Sequence, residues 1–137
     1  MPTPQGRAWV RSPLQQPEDL LRKLAIRDDA LLHRVLAEEQ CGHPAESSLD
    51  PKTHALACIV GLIAMDATSP SYLCAVEAAR AAGATDDEIV GCLLAVLPIL
   101  GEPRVVSAAP KLGLALGYDV GAALEEPARS RPRLTLR

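Results

Sequence analysis

The stretch Ala81-Ala82-Gly83-Ala84-Thr85-Asp86-Asp87-Glu88-Ile89-Val90 decides how this chain folds. A glycine at 83 supplies the left-handed stop on which helices commonly end. Thr85 can then cap a new helix through its hydroxyl, and Glu88, three residues on, can reach back to the cap. That helix, from about Asp86 to Leu100, shows apolar residues on every side, among them Ile89, Val90, Leu93, Leu94, Val96, Leu97 and Ile99. A helix apolar all round is expected to be buried.

Working outward, the segments on both sides also read as helices. Upstream, Asp50 caps and Pro51 occupies the first position of a helix carrying Ala55, Leu56, Ile59, Leu62, Ile63 and Met65. Ser69 is read as the cap of the next helix, with Pro70 at its first position. One side of that helix offers Ala75, Ala78, Ala79 and Ala82 for close packing; the other offers Glu77 and Arg80 as a surface pair. Downstream, a last helix runs from about Pro103 to Leu116 and stops at Gly117, with a kink or break expected at Pro110. Two leading helices, about Pro17 to Leu24 and Asp28 to Gln40, carry stripes of Leu20, Leu21 and Leu24, and of Leu31, Leu32, Val35 and Leu36. No segment has a useful strand period. The reading is an all-α domain over about 16–122 with its core at about 49–118. An irregular arm, 1–15, precedes it, and an Arg/Pro-rich tail, 123–137, follows.

Composition bounds the function. The chain has 137 residues, which suits one domain, and a formal net charge of −3, which gives no overall pull toward nucleic acid. The tail arginines Arg129, Arg131, Arg133 and Arg137 have no aromatic companions or structured frame, so no nucleic-acid partner is expected. The apolar run from Ala55 to Met65 is too short to span a bilayer, and no secretory leader is read at the N-terminus. The expectation is a soluble, cytoplasmic protein with no membrane partner. Aromatics are 2% of the chain, with no Phe, so the core must be built from Leu, Val, Ile and Ala. Two all-apolar helices are hard to cover within so short a chain. Apolar patches of that size usually mark partner surfaces, which implies a homo-oligomer, from dimer to hexamer.

The order of these motifs resembles the carboxymuconolactone decarboxylase and alkylhydroperoxidase D superfamily. The shared features are the Leu49-Asp50-Pro51-Lys52-Thr53 helix start, the helix opened by Ser69-Pro70-Ser71, the Gly83-Ala84-Thr85 turn, the apolar helix and the Gly101-Glu102-Pro103 exit. The resemblance covers roughly residues 49–118 and implies an oligomeric helical fold with a small-molecule pocket. It also implies where active residues would stand. The dithiol pair of the peroxidase branch falls near Thr68 and Ser71, its histidine on Ala75, and its glutamate on Ala55 or Leu56. None of those residue types is present. Fold similarity does not transfer activity, so the implied function is a divergent member whose chemistry, if any, uses neither a cofactor nor a dithiol.

Three residues remain as catalytic candidates. Ser71 lies in the first turn of its helix, where the dipole favours an anion, but a nucleophilic serine needs a positioned base and none lies a turn away. Cys74 is the thiol nearest the family's active position. It could support a single-cysteine peroxidase, or pair with Cys58 or Cys92 on neighbouring helices. His54 sits near the mouth of the implied pocket and titrates near neutral pH. All four cysteines, Cys41, Cys58, Cys74 and Cys92, are scattered in sequence and read as small buried hydrophobes rather than disulfides. His33, Cys41 and His43 do not form a recognised zinc pattern, so no metal is expected. A third reading is a non-catalytic binding or scaffold module.

Overall fold

The computed structural model describes residues 16–38 and 47–120, and within them the chain forms helices and no strand. In order these are α1 (Pro17–Ala25), α2 (Asp29–Ala37), α3 (Pro51–Ala64), α4 (Ser69–Ala81), α5 (Asp86–Leu100) and α6 (Glu102–Leu116). The all-α expectation holds. Helices α3 to α6 make a four-helix bundle. In it α3 lies beside α4 and α5, and α6 lies beside the same two. α1 and α2 pack on each other as a hairpin. The arm with Trp9, the segment with Cys41 and His43, and the arginine tail lie outside the described residues.

The bundle core is aliphatic, as the lack of Phe requires. Ile59 and Ile63 of α3 meet Tyr72, Val76 and Ala79 of α4, Ile89 and Val96 of α5, and Ala108 and Leu112 of α6. Each fully buried Ile or Leu stabilises the fold by about 1.5–3 kcal/mol. Ala75, Ala79 and Ala108 have no bulk beyond Cβ, so they let the helix axes approach around these larger side chains.

Local chemistry sets the element boundaries. Asp50 accepts from the Thr53 N–H at 2.7 Å, and Thr85 accepts from the Glu88 N–H at 3.2 Å, so both expected caps form. After α4, the Gly83 N–H bonds to Arg80 O and the Ala84 N–H to Ala79 O, the paired closing bonds of a Schellman stop. Gly83 has φ +91°, which an L side chain rarely adopts. Asp66 fills the same role after α3 with φ +53°, although it carries a side chain.

Several expectations are corrected. The cap of α4 is Thr68 rather than Ser69, and Pro70 is at the second helical position. The return half of the capping box is not what holds Glu88, because the Lys52 ammonium lies 3.2–3.3 Å from its carboxylate oxygens and ties α5 to α3. Arg80 pairs with Asp86 rather than Glu77. α6 runs through Pro110 without a break, because Ala108, Leu112 and Leu116 are packed into the core on either side of it. Met65 lies beyond α3 and is exposed. In the leading hairpin only Leu31 is buried; Leu21, Leu24 and Leu36 face solvent, since two short helices offer each other little cover.

α5 gives the largest correction. Only one stripe, Ile89, Cys92, Leu93 and Val96, is buried. Val90, Leu94 and Ile99 lie outside the core, with Leu94 69% and Ile99 79% exposed. The bundle covers one side of this helix, half-buries Leu97 and Leu100, and leaves Val90, Leu94 and Ile99 exposed.

Candidate functional site

A cavity of about 330 Å³ opens between the first turns of α4 and the last turns of α6. Its walls are Ser69, Pro70 and Leu73 from α4, and Lys111, Leu114 and Ala115 from α6. Helical spacing explains the set. Ser69 and Leu73 are four apart on one side of α4, and Lys111 and Ala115 are four apart on one side of α6, so each helix contributes one stripe. The volume sits at the lower end of the range for small-molecule pockets, about 300–1,000 Å³. The lining is almost wholly apolar, and Lys111 supplies its one charged group.

The Lys111 ammonium is fixed at the groove. It donates to Asp66 Oδ1 at 3.1 Å and to Ala67 O at 3.0 Å. Arg104, Ser107 and Lys111 follow one stripe of α6, and all three reach Asp66. The Ser107 hydroxyl donates to Asp66 Oδ1 at 2.7 Å, and the Arg104 guanidinium stands 3.8 Å from Oδ2. The Ser107 hydroxyl first, and the Lys111 ammonium second, hold the Asp66 carboxyl below the usual carboxylate range. These partners hold Asp66 at its left-handed turn. One carboxylate therefore faces two cations, leaving a local charge of +1 beside an apolar groove.

Tyr72 lies next to Leu73 in sequence but points into the core, where it is fully buried. Its hydroxyl has no hydrogen-bond partner among the described residues. Burial first, and the Asp66 charge second, push the phenol above its ordinary range. The hydroxyl is therefore a neutral, unsatisfied donor within reach of the Asp66 field.

The three candidates read from sequence do not converge on this groove. Ser71, partly exposed in the first turn of α4, is not among the residues that line it. Ala75, where the resemblance expects a histidine, is in the bundle core. Cys74 is disulfide-bonded. Cys58 and Cys92 are free thiols, so neither of the pairings weighed from sequence is made, and Cys74 departs from the reading of scattered buried cysteines. His54, on α3, places Nε2 3.5 Å from the Cys58 Sγ one turn along the same helix. Burial pushes the Cys58 thiol up, so the contact is that of a protonated thiol with an imidazole rather than a thiolate pair. The Cys92 thiol is also raised, by burial foremost, and donates to the Glu88 carbonyl at 3.5 Å.

Sequence reading passed over two features. The His54–Cys58 contact was legible as a four-residue spacing on one helix. Lys111 was legible as the one charged residue in 105–118, a solitary cation on an otherwise apolar helix end. His33 Nδ1 donates locally to the Asp29 carbonyl, 2.8 Å away. Among the described residues no group of three metal-ligating side chains gathers, and no helix is long and apolar enough to cross a membrane. Comparison of the chain with protein-family models, with curated proteins and with solved structures returned no match.

Proposed function

We propose that this chain is a cofactor-free helical protein that binds a small apolar molecule in the groove between α4 and α6. In this reading it is a divergent relation of the carboxymuconolactone decarboxylase-like proteins, acting as a homo-oligomer. The observation that carries the reading is the groove itself: a pocket-sized, apolar space with a single fixed charge at its wall. Such a site recognises shape and apolar surface first and uses its polar group for orientation. Dithiol chemistry is no part of the reading. Thr68, Ser71 and Ala75 stand where that cycle needs two cysteines and a histidine.

The test uses N-phenyl-1-naphthylamine, a neutral probe whose fluorescence rises in apolar surroundings. The native chain should bind it saturably, and Leu73→Asp and Leu114→Asp should each abolish binding. Both side chains are exposed, so the fold should tolerate the changes. Undiminished binding by both variants would place the ligand elsewhere.

One observation favours a second reading. Cys74 is held in a disulfide, the state in which a two-thiol peroxidase cycle ends. In such a cycle the reduced Cys74 thiolate attacks a hydroperoxide oxygen and an alcohol leaves. The sulfenic acid then condenses with a second thiol, releasing water, and an external dithiol restores both thiols. Cumene hydroperoxide consumption with dithiothreitol decides it. Turnover lost in Cys74→Ser establishes the peroxidase, and no turnover above the reductant alone removes it.

A further inference from the structure

The groove has a polarity that its apolar lining alone does not predict. The stripe Arg104, Ser107, Lys111 runs along α6 to the edge of the cavity, and Asp66 is the carboxylate it meets among the described residues. Lys111 both lines the cavity and belongs to this cluster, so apolar wall and cationic end meet in one side chain. An ammonium has three donors. Two are used on Asp66 and Ala67. The third meets no acceptor among the described residues, and the Lys111 side chain is 26% exposed.

From this charge complementarity we propose that the occupant of the groove is a single-chain amphiphilic carboxylate, its apolar body against Leu73, Leu114 and Ala115 and its head on the Lys111 ammonium. The inference rests on the proposed groove and adds the chemical class of the ligand. The small cavity takes one chain rather than two. The residual positive charge of the Arg104–Asp66–Lys111 cluster favours an anion over a neutral or cationic head. Asp66 then has a second role. It holds the ammonium in place, and it competes with the ligand for that ammonium's charge. Neutralising Asp66 should strengthen ligand binding, which is opposite in sign to any effect of damage to the fold.

The experiment displaces N-phenyl-1-naphthylamine with decanoate and with decanol, which share a chain and differ in head group. The native protein should bind decanoate about fivefold more tightly than decanol, the size of a half-exposed ion pair. Lys111→Gln should bring decanoate down to the level of decanol in the same variant. Asp66→Asn should tighten decanoate several-fold; asparagine tolerates the left-handed turn at this position, so the backbone is kept. Equal binding of the two by native protein overturns the inference and leaves the groove reading standing, as does unchanged or weaker decanoate binding by Asp66→Asn. Failure of both compounds and of the probe itself overturns the groove reading. Should Lys111→Gln not fold, Asp66→Asn with the native comparison still decides.

Discussion

Removing the Tyr72 hydroxyl should stabilise this protein. Tyr72 is fully buried in the bundle and its hydroxyl meets no acceptor among the described residues. The charge that acts on it, Asp66, already accepts from Ser107 and Lys111. An unsatisfied buried donor costs about 1–3 kcal/mol. Tyr72→Phe keeps the ring and its packing against the core, so it removes that cost and leaves only the space of one oxygen. The lower end of the range, about 1 kcal/mol of added stability, is the expected net effect. For a chain of this size that corresponds to a rise of roughly 3–5 °C in Tm. Urea unfolding followed by far-ultraviolet circular dichroism reads it directly. The midpoint should rise while the slope stays constant, because the surface exposed on unfolding is nearly the same. A fall in the midpoint would show that the hydroxyl is hydrogen-bonded in solution, and the account of this part of the core would be wrong.

Other perturbations follow from the same physics. Gly83→Ala, at φ +91°, should cost about 1–2 kcal/mol in chemical denaturation. Gly61→Ala, where a new Cβ meets nothing within 4 Å, should instead gain about 0.5–1 kcal/mol. The Asp86 carboxyl is held low by the Tyr118 hydroxyl first and by Arg80 second, and Asp66 is also held low. Their contribution is complete above the unfolded-state value of about 3.9 and is lost as pH falls through the lowered folded values. Asp86→Asn should therefore flatten the acid limb of a stability–pH curve, and an unchanged limb would refute the assignment. The open face of α5 should be covered by a second copy of the chain. Sedimentation velocity should report an oligomer for the native protein and a monomer for Leu94→Glu, and a native monomer at micromolar concentration would contradict this.

The bundle was legible where helix ends are written in single residues. Asp50 with Pro51, Gly83 with Thr85, and Gly117 each fix a boundary by one local hydrogen bond or one backbone angle. Thr68 and Ser69 were ambiguous because two adjacent hydroxyls precede Pro70, and proline is tolerated at either of the first two helical positions. Glu88 was misjudged because its competitor, Lys52, comes from another helix. The all-round apolarity of α5 was plain, but a pattern on one chain cannot distinguish cover by the bundle from cover by a second copy. The groove was illegible for a related reason. Ser69 and Leu73 meet Lys111, Leu114 and Ala115 only because α4 lies beside α6, and nothing in either segment names the other. The solitary charge of Lys111 was the one local sign.

The central claim is that the space between α4 and α6 is the binding site. Methyl-resolved NMR with decanol added to the native protein tests it most directly, because the groove and the open α5 face carry distinct leucines. The account predicts saturable shifts at Leu73, Leu114 and Ala115 with little change at Val90 and Leu94. Shifts confined to Val90 and Leu94, or none at Leu73 and Leu114 at saturating decanol, would contradict it.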